Sequence, residues 1–222
     1  MKDEKYIPAL GFDLLTPLYD AVVRLTVREK KFKTALISQA NFADGQRILD
    51  LACGSGTLAV LIKESRPKTE VIGIDGDAKI LKIAERKAAK KGVNIQFDKG
   101  LSFALPYADE SFDRVFSSLF FHHLTREDKL KTLHEVLRVL KPDGELHIAD
   151  WGLPANFLMK FVSYGVELLD GSETTGDNFK GLMPSLISET GFGETEEKQY
   201  FNSLFGTIRL IEAKIMSTNS TE

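Results

Sequence analysis

Apolar and polar positions along the 222-residue chain switch repeatedly between two periods. Short apolar runs at 47–52, 70–74, 94–98, 112–119 and 145–150, bounded by glycine, proline or acidic residues, read as buried strands. Between them apolar residues recur every three or four positions, the signature of a helix with one buried face. Residues 16–41 read as one or two helices. Thr16 can cap the first, and Pro17 suits the first helical position, where a backbone N–H would have no partner anyway. Leu18, Val22 and Leu25 share a face there, followed by Phe32, Leu36 and Ala40. A helix over 57–65 stops before Pro67, and one over 77–91 turns Ile80, Ile83 and Ala84 inward. Thr125 and Asp128 resemble a capping box ahead of Leu130, Leu133, Leu137 and Leu140. Lys141-Pro142-Asp143-Gly144 reads as a turn, because proline disfavours helix at the residue before it. Further on come a helix near 155–169, a polar loop over 171–177, a helix near 180–190, and strands at 194–201 and 207–215.

Strands alternating with helices imply βαβ units, a mostly parallel sheet and helices on both faces. In such an α/β fold ligands bind beyond the carboxyl ends of the strands, near the point where strand order reverses. Functional residues are therefore expected at strand tips.

Composition narrows the partners. Hydrophobic residues make up 43% of the chain, enough for a sizeable core, and charged residues 27%. Lys+Arg 29 against Asp+Glu 32 leaves a net charge of −3, without the basic excess of a nucleic-acid binder. The basic run Lys87 to Lys91 reads as the solvated end of a helix. No apolar stretch approaches the ~18 residues of a spanning helix, although peripheral membrane contact stays open. The opening residues 1–6 carry no signal-type apolar region behind them. The single cysteine, Cys53, excludes an internal disulfide and any multi-cysteine metal site, so a reducing cytoplasm is the expected compartment and no metal is expected.

Two strand tips carry candidate chemistry. At the first, Asp50-Leu-Ala-Cys-Gly54-Ser-Gly56-Thr57 joins a strand to a helix. Gly54 and Gly56 permit a tight turn and close backbone approach to a ligand, and the following helix points its N–H groups the same way. A plain strand-to-helix turn would read alike. At the second, Asp75 can accept two hydrogen bonds from a ribose diol, or serve only as a turn or capping residue. Together they imply an adenosine-type ligand without naming it. Gly54-x-Gly56-x-x-Ala59 also satisfies the loose dinucleotide fingerprint of nicotinamide enzymes.

At this point the chain resembles a family. Residues 50–57 look like motif I of the class I S-adenosylmethionine-dependent methyltransferases, and Ile74-Asp75-Gly76-Asp77 is similar to their motif II. Residues 104–113 resemble the stretch ahead of their fourth strand. Phe121-His-His-Leu124 and Val139-Leu-Lys-Pro-Asp-Gly144 match the subgroup of ubiquinone and menaquinone C-methyltransferases and their small-molecule relatives. Ile187-x-x-Thr-Gly-Phe192 resembles the helix end before that family's last hairpin. The ordered set spans about residues 45–215. The resemblance implies a Rossmann-like sheet of seven strands, mostly parallel, with an antiparallel last strand. It divides the chain into an N-terminal helical lid over 1–44 and a cofactor-binding domain over 45–222, with an acceptor-side helical insertion at 152–190.

The resemblance also implies roles. Gly54 and Gly56, with Ala52 and Cys53 in the same loop, would approach the methionine and ribose parts of the cofactor, and Asp50 its ammonium. Asp75 would hold the ribose hydroxyls, and Gly76 and Asp77 would flank the adenine. Ser102 would offer its N–H to an adenine nitrogen, Ser117 a carbonyl at the tip of the fourth strand, and Tyr19 would cover the cofactor. Many relatives read Gly-Asp-Ala where this chain reads Gly100-Leu101-Ser102. Leu101 cannot accept the adenine amine, a loss of ~1 kcal/mol. The first glycine of motif I is Ala52 here.

The implied reaction is in-line displacement at a sulfonium methyl, yielding S-adenosylhomocysteine, which needs alignment more than a fixed catalytic group. His122 and His123, just past the fourth strand, are the candidate bases, although packing alone would also explain them. His134 and His147 read as structural, and Trp151 as either core or pocket rim. Phe157, Leu158, Phe161, Val162, Leu168 and Leu169 suit either packing on the sheet or a pocket for a hydrophobic or aromatic small-molecule acceptor. Two rivals remain. A non-catalytic cofactor-binding relative would share these motifs. A nicotinamide-dependent oxidoreductase would need machinery such as Tyr-x-x-x-Lys, which no tyrosine here supplies.

Overall fold

The computed structural model describes residues 29–170, 172–203 and 205–216. The expected elements before residue 29, and with them Thr16, Pro17, Leu18, Tyr19, Val22 and Leu25, lie outside the described residues. In chain order the elements are α1 (Glu29–Gln39), β1 (Arg47–Leu51), α2 (Thr57–Ser65), β2 (Glu70–Asp75), α3 (Ala78–Lys91), β3 (Gln96–Lys99) and β4 (Phe112–Ser118). A one-turn 3-10 helix (Phe121–His123) leads into α4 (Arg126–Val139), β5 (Leu140–Trp151), α5 (Phe157–Asp170), α6 (Ser172–Phe179), α7 (Met183–Glu189), β6 (Phe192–Ser203) and β7 (Gly206–Ile215).

The seven strands form one sheet in the order β3-β2-β1-β4-β5-β7-β6. Strands β3 to β5 pair in parallel, and β7 runs antiparallel to both its neighbours. The last strand is thus the antiparallel one, as the resemblance implies. Period two sends successive side chains to opposite faces, and both faces are buried. Leu49, Leu51, Ile72, Ile74 and Ile148 meet Leu133, Val136, Leu186 and Ile187 of α4 and α7 on one face. Ile48, Phe116, Ala149 and Leu210 meet Phe32 and Leu36 of α1 and Leu58 and Ile62 of α2 on the other.

Several expectations are corrected. In α3 the inward residues are Leu81, Ala84 and Ala88, while Ile83 is 39% exposed. Lys87 is not a solvated lysine: its ammonium donates to Ser55 Oγ (2.8 Å) and Thr57 Oγ1 (2.6 Å), bracing the glycine loop from α3. The polar stretch 171–177 is helix from Ser172 onward, with polar side chains of one face turned inward. Thr175 and Asn178 are buried, Asn178 Nδ2 donates to the Trp151 carbonyl (3.1 Å), and Lys129 Nζ donates to the Thr174 carbonyl (2.6 Å). Residues 141–144, expected as a turn, lie within the span of β5 but pair with neither neighbouring strand: the ladder passes from Phe112↔Leu140 to Arg114↔Glu145, an irregularity in register. Finally, α5 does not pack its aromatic stripe on the sheet. Phe157, Leu158 and Phe161 are 86%, 66% and 72% exposed, and Met159 and Ser163 turn inward instead.

Candidate functional site

Parallel strands all end on one edge, and the order reverses between β1 and β4, so the loops after β1, β2, β3, β4 and β5 gather there. Backbone hydrogen bonds stitch the first three together. Cys53 N donates to the Ile74 carbonyl (2.9 Å), and Gly100 N to the Asp75 carbonyl (3.1 Å).

The loop after β1 turns through three left-handed residues, Ala52 (φ 54°), Gly54 (φ 52°) and Gly56 (φ 71°). The two glycines serve different ends. A Cβ at Gly56 would lie 2.8 Å from Ala84 Cβ and 3.1 Å from the Phe97 ring, so this glycine lets α3 and β3 close on the loop. A Cβ at Gly54 would meet nothing within 4 Å, so the loop presents open backbone outward, a cradle for a ligand. Cys53 turns inward. Burial, with the charges of Asp50 and Asp75, pushes its thiol pKa well up, which leaves it unreactive.

Asp50 is fully buried near the end of β1, its Oδ2 accepting from Ala59 N (2.9 Å) and so fixing the first turn of α2. Burial raises its pKa to about 7, against the opposing field of Lys33 and the Ala59 N–H. No cation among the described residues lies within ion-pair distance of it. Such a carboxylate suits a cationic ligand group. Lys33 itself, on α1, is 7% exposed and donates to Glu29 Oε1 (2.6 Å).

Asp75 accepts from Gly54 N through Oδ2 (2.9 Å) and from Asp77 N through Oδ1 (3.0 Å). Burial raises its pKa, partly offset by those N–H groups. Two oxygens with about four acceptor sites leave capacity for two further donors. Gly76 follows it, and Asp77 caps α3 by accepting from Lys79 N (2.7 Å). Leu101 begins a tight turn closed by its bridge to Ala104, and Ser102 Oγ is paired with Thr132 Oγ1 (2.9 Å). Ser117 stands one residue inside the end of β4, between Leu51 and Ile148. It is fully buried, and its Oγ meets no hydrogen-bond partner among the described residues.

Beyond β4, Leu119 takes a left-handed conformation (φ 54°) and donates to the Ala149 carbonyl (2.8 Å), folding the 3-10 turn back over β5. His122 and Asp150 then meet as a buried pair, Nδ1 to Oδ1 at 2.6 Å. Asp150 also accepts from Trp151 N (2.7 Å), Phe120 N (3.1 Å) and His122 N (3.4 Å). Burial would raise its pKa, but His122 and these donors hold it below the usual carboxylate range. The His123 ring stacks obliquely 3.9 Å from His122. Burial and the charge of His122 push its pKa down to about 3, which makes it a poor base. Trp151 is buried, its ring edge-on to His122.

The structure thus brings Asp50, Ala52, Cys53, Gly54, Gly56, Asp75, Gly76, Asp77, Leu101, Ser102, Ser117, His122 and His123 to one edge. Sequence reasoning missed Asp150 as the partner of His122 and Lys33 as a buried cation. Neither carries a spacing signal, since the first pair is 28 residues apart and the second residue lies on an unremarkable helix.

Residues 48–144 match the family model described as a methyltransferase domain. The chain is 33% identical over 149 residues to the demethylmenaquinone methyltransferase of Deinococcus radiodurans, covering 66% of this chain and 61% of that protein. It is 35% identical over 145 residues to the demethylmenaquinone methyltransferase of Thermus thermophilus, covering 64% of this chain and 65% of that one. Each match spans less than two thirds of the relative's length. Among solved structures, the YcgJ protein of Bacillus subtilis shares the fold with a TM-score of 0.68 at 22% identity, over 82% of this chain and 97% of that chain.

Proposed function

We infer from the methyltransferase-domain match and the site that this chain is a class I S-adenosylmethionine-dependent methyltransferase, and we propose that it transfers a methyl group to a small hydrophobic or aromatic acceptor. The observation that carries the reading is the buried Asp50 carboxylate, without a cationic partner among the described residues, beside a glycine loop whose open side faces outward. These residues fit a zwitterionic adenosyl ligand. S-adenosylmethionine, when bound, supplies a methyl group already activated on a sulfonium.

The chain's own groups bind and orient. Asp50 takes the ammonium. The backbone at Ala52, Cys53, Gly54 and Gly56 follows the methionine and ribose, and Asp75 accepts from the ribose hydroxyls through its remaining acceptor sites. Gly76, Asp77, Leu101 and Ser102 border the adenine. Ser117 supports the floor.

Where the acceptor must lose a proton, His122 is the base. Its Nδ1–H donates to Asp150, which leaves the Nε2 lone pair to take the proton. With its pKa near 3, His123 serves instead as a neutral wall of the acceptor space. The quinone named in the relatives supports a planar, apolar acceptor beside Trp151. Neither the charge balance nor any motif calls for a nucleic-acid partner. The lone, buried thiol suits a reducing cytoplasm.

Thermal shift with S-adenosylhomocysteine, S-adenosylmethionine and NADH tests the cofactor. A ligand at ~100 times its Kd stabilises by ~2.7 kcal/mol, several degrees for a chain of this size. Shifts with the sulfur compounds alone support the reading, and a shift with NADH alone overturns it. Tight binding with no turnover across quinone and phenol acceptors would favour a non-catalytic relative.

A further inference from the structure

We propose that α5 pairs with α5 of a second copy of this chain, forming a two-fold symmetric dimer centred on Phe161. The inference does not draw on the cofactor reading. It starts from a helix with its apolar side outward. Met159 and Ser163 turn inward, and the Ser163 hydroxyl donates to the Met159 carbonyl (2.8 Å). Phe157, Leu158, Phe161 and Tyr164 are all exposed. The outer side of α5 is thus more apolar than the side it buries, and packing among the described residues gives no reason for it.

The spacing of these residues points to the partner. Phe157, Leu158, Tyr164 and Gly165 stand at −4, −3, +3 and +4 from Phe161. At ~100° per residue, all of them lie within ~60° of Phe161 on the helix surface. The stripe therefore reads the same from either end. A two-fold axis through Phe161 lays one α5 antiparallel on the other with every position matched. Phe161 meets its own copy, Leu158 meets Tyr164 of the partner subunit, and Phe157 meets Gly165 of the partner subunit. Gly165 is exposed, and a Cβ there would touch nothing within 4 Å, so it leaves a notch for the ring. An isologous contact requires this self-matching.

The area agrees. With Leu153, itself exposed at the foot of the helix, the stripe offers roughly 600 Å² of apolar surface, taking ~150–250 Å² for each whole aromatic side chain. A standard interface takes ~800 Å² from each partner, about two thirds of it apolar in homodimers. The stripe is also held in place. Gly152 N donates to the Thr207 carbonyl (3.0 Å), Ala155 N to Thr207 Oγ1 (3.0 Å), and Arg209 Nε to the Leu153 carbonyl (2.9 Å). Association therefore orders little backbone. A lipid surface fits less well, because an interfacial helix is rich in lysine and arginine, and α5 has Lys160 alone against Glu167 and Asp170.

The test is sedimentation velocity of the full chain over a range of micromolar concentrations. Wild type should sediment as a dimer at the upper end. Phe161→Glu and Phe161→Lys each set like charges on the axis and should raise the dimer Kd ~100-fold or more. Because Phe161 is exposed, both variants should keep the wild-type far-UV spectrum. An equimolar mixture of the two should dimerise again, which only a contact of this position with itself explains. Gly165→Leu should weaken the dimer ~10-fold by filling the notch. A monomeric wild type overturns the proposal: flotation with phosphatidylcholine vesicles would then give the stripe to lipid, and none would leave it to another segment or protein. A dimer unchanged by Phe161→Glu places the contact elsewhere and also overturns it, as does a mixture that stays monomeric.

Discussion

Asp150 Oδ1 lies 2.6 Å from His122 Nδ1, and both side chains are withdrawn from solvent. The same carboxylate accepts from three backbone N–H groups at the ends of β4 and β5. One side chain thus fixes a ring tautomer and the path of two adjacent loops. Asp150→Ala should cost ~2–4 kcal/mol, since it leaves a buried ring and N–H groups unpaired, and should lower Tm by roughly 6–12 °C in a melting scan. Asp150→Asn fills the same space but can turn its amide N–H₂ towards Nδ1 and reverse the tautomer. Turnover should then fall far more than Tm. Full turnover in Asp150→Asn would remove His122 as the base.

Asp50 makes cofactor affinity depend on pH. Its folded pKa, raised to about 7, lies above the ordinary 3.8, so the free protein holds a proton there that the unfolded chain has lost. This group's contribution to stability is present below its unfolded pKa and is lost as pH rises towards 7. A bound ammonium favours the ionised carboxylate and expels the proton. S-adenosylhomocysteine should therefore bind more tightly as pH rises from about 5.5 to 7, by up to tenfold per unit, then level off. Calorimetry in buffers of different ionisation enthalpy should show proton release, and Asp50→Asn should flatten the profile.

Gly54 and Gly56 separate folding from binding. Gly56→Ala forces a methyl against Ala84 and Phe97 in a left-handed residue and should cost ~3 kcal/mol or more. Gly54→Ala meets no neighbour in the chain and should cost only the ~1–2 kcal/mol of its backbone conformation. Its effect should appear instead in cofactor Kd, weakened ~10-fold or more as the methyl enters the ligand's space. Unchanged Kd in Gly54→Ala would place the ligand elsewhere.

Ala52 occupies a left-handed conformation that glycine adopts freely. Ala52→Gly should therefore stabilise the chain by ~0.5–1 kcal/mol, after allowing for glycine's greater freedom when unfolded, a rise of about 1–4 °C in Tm. A fall in Tm would mean that the Ala52 methyl makes packing contacts worth more than the strain.

The order of strands and helices was legible because the central strands β1, β2 and β4 are compact apolar runs, and the glycine loop and Asp75 stood out at two strand tips. The misreadings share a cause. The stretch 171–177 looks like a loop because it is polar, but Asn178 and Thr175 face inward and their burial depends on Trp151 and α4, which are distant in sequence. Lys87 looked like one of a solvated run until α3 was placed beside Ser55 and Thr57. In α5 the apolar stripe was found but its side was left open between sheet and pocket, since periodicity gives a face and not its neighbour; Phe157, Leu158 and Phe161 face outward. Asp150 met His122 only once β4 and β5 were paired.

Leu119 holds a left-handed backbone at the tip of β4, beside the equally strained Ala52 at the tip of β1. A bulky residue adopts that conformation at a cost of ~1–2 kcal/mol, met when the chain folds and not when a ligand arrives. The edge that receives the cofactor is thus shaped in advance at two of its strand tips. In a stopped-flow experiment these two tips should add no slow step, so association should follow one exponential phase whose rate rises linearly with ligand concentration.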